Sequence, residues 1–178
     1  IHDCLPTPEG IAVCRDYHIQ MPMQSAFIGW KQEPDDYLER ILGHDRLEKL
    51  NPIRTFRDNG IVVSFGSDAP CTTPDPIAWM DRAVNNGNAG QAVSVQDALR
   101  MCTYNGAWAA FDEQERGSLE AGKIADMAVL SENPYTVPKD KLSCLRVEGL
   151  YLSGKPYESC RENILPMMLR GLTSRNKA

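Results

Sequence analysis

An acidic residue at the end of a buried strand is the first feature of this sequence that could do chemistry. Residues 61–70 read Ile-Val-Val-Ser-Phe-Gly-Ser-Asp-Ala-Pro. Ile61 to Phe65 form a short apolar run rich in β-branched residues, the pattern of a strand buried on both faces of a parallel sheet. Gly66-Ser67-Asp68 end the run, and Pro70 keeps it from continuing. Asp68 is thus carried out of the sheet at the strand's C-terminal end, where α/β sheets and barrels place their reactive groups. A carboxylate there can ligate a metal and take a proton from bound water. It can equally belong to an ordinary turn or cap the helix that follows.

The other candidates are sparse. The histidines are His2, His18 and His44. His2, two residues before Cys4, is a candidate metal ligand. His18 falls between a helix and a strand and reads as structural. His44 follows a helix C-terminus, where the dipole favours a cation. Arg46, in a predicted loop after Gly43-His44-Asp45, could grip a substrate carboxylate or carbonyl. Its alternatives are a solvated arginine or an ion pair with Asp45 or Glu48. No HxH, HExxH or His-Cys cluster occurs, so the sequence does not assemble a complete zinc site. Gly117 to Lys123 is not a phosphate-binding loop, because no helix follows it; Gly122 reads as a turn before a strand. Cys4, Cys14, Cys71, Cys102, Cys144 and Cys160 form no CxxC pair. That scatter fits free thiols in a reducing, cytoplasmic setting.

The elements that must hold these residues alternate between helix and strand. Thr7-Pro8-Glu9 has the signature of a helix start, and the helix is expected to run to about Tyr17. Ile19 to Met23 is a strand candidate, weakened by Pro22. Pro34-Asp35-Asp36 opens a helix with Leu38, Ile41 and Leu42 on one face, and Gly43 ends it. Further helices are expected from Pro52, from Asp75-Pro76 and behind the Ser94-Val95-Gln96-Asp97 capping box. Such alternation implies a parallel sheet with covering helices. After Gly117 the pattern turns to short strands, at Ile124–Leu130, Val147–Leu152 and Pro156-Tyr157, with helical periodicity again near Glu162 to Leu172.

Composition bounds the class. Of 178 residues, 42% are hydrophobic, enough for a real core, and the formal net charge is −5. No basic stripe appears, which argues against nucleic acid or an anionic membrane as partner. No apolar run approaches the roughly 18 residues of a membrane span. The chain opens with Ile1-His2-Asp3-Cys4, without leader character, and is expected to be a piece of a longer polypeptide.

Several segments resemble one family in the same order. Gly66-Ser67-Asp68-Ala69-Pro70 follows an apolar strand. The Ser-Val-Gln-Asp-Ala-Leu helix continues into Thr103-Tyr104-Asn105-Gly106-Ala107. Gly117-Ser118-Leu119-Glu120-Ala121-Gly122-Lys123-Ile124-Ala125-Asp126 comes next, and Leu152-Ser153-Gly154-Lys155-Pro156 stands near the end. Together they resemble the C-terminal portion of metal-dependent amidohydrolases, of the amidohydrolase 3 branch, similar to N-substituted formamide deformylases. The resemblance implies an α/β fold. Residues 1–115 would be the C-terminal part of a TIM (β/α)8 barrel, 116–160 the C-terminal strands of a composite β-sandwich, and 161–178 a partly helical tail.

The same resemblance implies hydrolysis of non-peptide C–N bonds in a small-molecule amide or cyclic amide. A divalent metal, zinc, would be bound in the intact parent. Asp68 would be metal ligand and general base, His2 a second ligand, and Arg46 a substrate contact on the loop after the seventh strand. A full barrel takes about 250 residues, and the family's HxH motif and bridging Lys or Glu are missing here. The isolated chain is therefore expected to lack most of the metal site and to be inactive, with no metal bound. Its open sheet edges would drive self-association into a homo-oligomer or leave the barrel portion disordered or rearranged. The rival reading is a non-catalytic remnant or oligomerisation module of the same fold.

Overall fold

A computed structural model describes residues 4–157. The first helix forms where its signals lie. The Thr7 hydroxyl accepts from Gly10 N at 3.1 Å, and Pro8 opens α1 (Pro8–Asp16). His18, at φ 52°, then turns the chain toward the sheet.

Strand β1 (Met21–Met23) pairs in parallel with β2 (Val63–Phe65), Met21 opposite Val63 and Met23 opposite Phe65. Both strands are shorter than their apolar runs. A parallel pair needs a long crossover. Here α2 (Asp35–Leu42), α3 (His44–Leu47) and α4 (Ile53–Asp58) supply it. α3 corrects the expectation of a loop at Arg46. Gly43 takes φ 78°, which a Cβ disfavours, and so redirects the chain; Leu47 N then donates to Gly43 O at 3.1 Å to close one turn. The expected apolar face of α2 is only partly covered, with Leu38 and Leu42 half-buried and Ile41 exposed.

The core lies between this strand pair and the helices that follow. Met21, Met23 and Val63 meet Ile53 and Phe56 of α4 there. Met80, Ala83 and Val84 of α5 (Pro76–Val84) join them, as do Ala98 and Met101 of α6 (Val95–Cys102). A short helix, α7 (Tyr104–Ala109), completes this part. Leu142, from a 3-10 turn at Lys139–Cys144, and Leu145 are buried in the same cluster.

The last strands form an antiparallel meander of β3 (Met127–Leu130), β4 (Val147–Leu152) and β5 (Lys155–Pro156), with a register shift between Val129 and Leu130. β3 starts three residues later than its apolar run because other partners claim the preceding backbone. Ile124 N donates to Glu115 O at 2.7 Å. The Asp126 carboxylate takes Arg116 Nη1 and Ser153 N, both at 2.8 Å. Among the described residues no helix is long and apolar enough to cross a membrane. The helical period expected at Glu162 to Leu172 and the 161–178 tail lie outside the described residues.

The capping box at α6 gives a pH-dependent contribution with a definite sign. Asp97 N donates to Ser94 Oγ at 3.0 Å, Ser94 N donates to the Asp97 carboxylate at 3.4 Å, and Arg57 Nη1 reaches that carboxylate at 2.5 Å. Burial alone would raise the Asp97 pKa; the hydrogen bonds from Ser94 and Arg57, with the Arg57 charge, outweigh it and lower the pKa. A lowered carboxyl stabilises the fold above its unfolded pKa, near 4, and loses that contribution as pH falls through the folded value. In urea unfolding, Asp97→Asn is therefore expected to be less stable than the parent at pH 6. The gap should shrink steadily as pH falls below about 4.

Candidate active site

The C-terminal end of β2 delivers Gly66, Ser67 and Asp68 beyond the sheet. Gly66 N donates to Met23 O at 3.0 Å, which continues the β1–β2 ladder by one bond before the strands part. Asp68 then enters the left-handed region at φ 53°, which aspartate tolerates better than most residues. Cys71 N closes the turn on Asp68 O at 2.8 Å. Ser67 braces it, accepting from Ala69 N on its hydroxyl at 3.1 Å and from Thr72 Oγ1 on its carbonyl. The Asp68 side chain is exposed. Among the described residues its carboxylate makes no hydrogen bond or ion pair.

Asp68 lies in a turn, and the helix-cap reading is excluded. The cap of α5 is Asp75, which accepts from Ile77 N at 3.0 Å and Ala78 N at 3.3 Å, so Asp68 is not a helix cap. Nor is its carboxylate spent on backbone amides. The turn uses the Asp68 main chain and leaves both carboxylate oxygens open to solvent or a ligand.

The strand beneath is held by residues that the sequence did not single out for this role. Asn105, on α7, donates from Nδ2 to Val63 O in β2 at 2.7 Å. Gln20, just before β1, donates from Nε2 to Ala109 O at 3.1 Å. Two side-chain amides therefore tie α7 to the strand pair. The buried Ser25, after β1, donates to Trp79 O of α5 at 2.9 Å. The signal that could have flagged Asn105 is an amide within an otherwise apolar helical stretch, where asparagine is disfavoured unless it has a specific partner.

The other sequence candidates do not converge on Asp68. Arg46 lies exposed on α3, its Nε donating to Leu42 O at 2.8 Å, where it satisfies a carbonyl at the end of α2. No hydrogen bond or ion pair joins it to Asp68, Asp45 or Glu48. His44 opens α3 rather than closing a helix, with Nδ1 3.2 Å from Glu39 and Nε2 3.4 Å from Glu48, all exposed. His2 lies outside the described residues. Cys4, Cys14, Cys71, Cys102 and Cys144 are free thiols, and burial pushes Cys102 up to about 12, which makes it a poor nucleophile. Cys160 lies outside the described residues.

A catalytic zinc takes three protein ligands. Among the described residues no group of three or more His, Cys, Asp and Glu side chains could hold a metal ion. Asp68 contributes one carboxylate, and these residues by themselves do not fit a metal centre.

A family model, the Amidohydrolase family, matches residues 3–157. This chain belongs to the amidohydrolase family. Among its relatives is the N-substituted formamide deformylase of Arthrobacter pascens, 36% identical over 132 residues that make up 70% of this chain and 22% of that protein. The amidohydrolase chain described here thus spans about a fifth of the deformylase's length. Two solved structures share its fold. One is a metal-dependent hydrolase from Pyrococcus horikoshii OT3, with TM-score 0.64, 22% identity and coverage of 78% of this chain and 29% of that one. The other is an adenosine deaminase from Xanthomonas campestris with bound Zn, with TM-score 0.62, 18% identity and coverage of 98% and 40%.

Two substitutions separate reactive from supporting residues. Asp68→Asn is expected to change unfolding free energy by no more than about 0.5 kcal/mol, since an exposed carboxylate without partners carries little stability. Asn105→Ala is expected to cost about 1–3 kcal/mol, because it strands the carbonyl of buried Val63. Chemical denaturation of both variants checks the contrast.

Proposed function

We propose that this chain is the C-terminal part of a metal-dependent hydrolase that cleaves non-peptide C–N bonds, as in an amide or cyclic amide. The observation that carries the reading is the Asp68 carboxylate, presented beyond the C-terminal end of β2 with its oxygens uncommitted. Membership of the amidohydrolase family supports it, and the N-substituted formamide deformylase relative points to C–N bonds. In this reading residues 1–115 are the late part of a (β/α)8 barrel, and 116–160 are strands of a small sandwich. The β1–β2 parallel pair with its helical crossover and the β3–β4–β5 meander are the elements that support this division.

Asp68 then acts as general base. Its carboxylate takes a proton from the attacking water and returns it to the departing nitrogen, which would otherwise leave as an unstable anion. Such proton transfer is worth about 10²–10⁴ in rate. Exposure of the turn lets water reach the carboxylate, and the Ser67 and Thr72 contacts hold the backbone that aims it. Arg46, on α3 in the crossover between β1 and β2, would steady the substrate. A divalent metal, zinc, would polarise the scissile carbonyl and activate water in the intact parent. Asp68 and His2 would be this chain's share of its ligands; the other ligands would come from elsewhere in the parent, and the isolated chain would be inactive. The substrate would be a small molecule, in a cytoplasmic setting consistent with the free thiols, and nucleic acid and membrane are not among the proposed partners.

A second reading, a non-catalytic remnant or oligomerisation module, is favoured by the lack of a three-ligand cluster among the described residues. Two measurements test the pair. In the longer parent, Asp68→Asn is expected to lower kcat by about 10²-fold or more; unchanged turnover at unchanged metal content excludes Asp68 as the base. Stoichiometric zinc in the purified 178-residue chain would contradict the remnant reading.

A further inference from the structure

A cleft of about 490 Å³ lies between the segment after β1, the α2–α3 pair and the end of α5. None of Gly66, Ser67 and Asp68 lines it. Its size is that of a small-molecule site. Phe27 and Ile28 line it from the segment after β1, and Leu38 and Leu47 from α2 and α3. All four are half-buried.

The cleft also holds a guanidinium. Arg82, near the end of α5, lines it, and among the described residues its side chain makes no hydrogen bond or ion pair. Gly29 makes room for it: a Cβ at Gly29 would lie 3.1 Å from Arg82 Nη1, and Gly29 adopts φ 62°. The other charged groups in the cleft are Asp35, Glu48 and His44. Glu48 is engaged by His44 Nε2 at 3.4 Å. Asp35 sits in the first turn of α2, where the helix dipole favours its charge. Among the described residues Arg82 is the cation of this cleft without a counterion, and a planar guanidinium is matched best by a carboxylate.

We infer that this cleft binds a small carboxylate with an apolar body, the carboxylate on Arg82 and the hydrocarbon against Phe27, Ile28, Leu38 and Leu47. The inference does not rest on the hydrolytic reading, and its test reads binding rather than turnover. Asp35 sets the selectivity, since it repels a second negative charge on the ligand and so favours monoanions over dianions.

The probe is 3-phenylpropionate, titrated into the 178-residue chain and followed by backbone amide NMR, with 3-phenylpropan-1-ol as the uncharged control. For a ligand of about eleven non-hydrogen atoms, a dissociation constant on the order of a few millimolar is expected. Shifts should concentrate at residues 27–29, 38 and 47. Arg82→Gln should weaken binding about tenfold or more, and the alcohol should bind correspondingly weakly. Asp35→Asn should tighten 3-phenylpropionate binding, because it removes a negative charge from the cleft. If Arg82→Gln does not fold, the carboxylate-to-alcohol ratio in the parent chain decides the matter. Equal binding of acid and alcohol, retained affinity in folded Arg82→Gln, or no shifts at these residues overturns the inference.

Discussion

The parallel pairing of Met21–Met23 with Val63–Phe65 is the constraint from which the rest of the molecule follows. A parallel pair cannot be closed by a tight turn, so the intervening chain must return across the sheet. That requirement produces α2 to α4 and brings Ile53 and Phe56 into the core against the strands. It also fixes where both strands end. Gly66 N on Met23 O is the last bond of the ladder, and beyond it the chain is free to leave the sheet at Asp68. The position of the Asp68 carboxylate is thus a consequence of strand register.

A two-stranded sheet leaves buried backbone groups to satisfy, and side chains rather than further strands do some of that work here. Asn105 takes the carbonyl of Val63, and Ser25 takes that of Trp79. An unpaired carbonyl at the buried Val63 would cost about 1–3 kcal/mol, so such amides and hydroxyls are part of what makes the strand pair stable. They also join the strands to α5 and α7 and so stiffen the platform under the Asp68 turn. Leu142 and Leu145, far along the chain, lie in the same core, which ties the meander half to this platform.

Much of this was legible in the sequence because it rests on local, periodic or residue-specific signals. The cap at Thr7, the box at Ser94 and Asp97, the β2 run and the β4 strand lie where composition placed them. The family strings from Gly66 to Lys155 were legible too, and the family match covers them. What could not be read depends on tertiary partners or on backbone geometry that composition does not reveal. The late start of β3 follows from Glu115, Arg116 and Ser153 claiming the residues before it. The helix at His44–Leu47 follows from a backbone turn at Gly43 that composition alone reads as a loop. Nothing local reveals that the Asn105 amide meets a strand 42 residues away. The sequence pattern puts Asp68 at its strand end, but only the fold shows which of Asp68 and Asp75 caps α5.

In the proposed function, β2 presents the Asp68 carboxylate to a reacting centre shared with the rest of a longer amidohydrolase. The most direct measurement is a crystal structure of that longer protein with its metal, read by anomalous scattering. The account predicts a metal peak at the Asp68 carboxylate, beyond the C-terminal end of β2. A bound metal elsewhere, with the Asp68 carboxylate still facing only solvent, would contradict it.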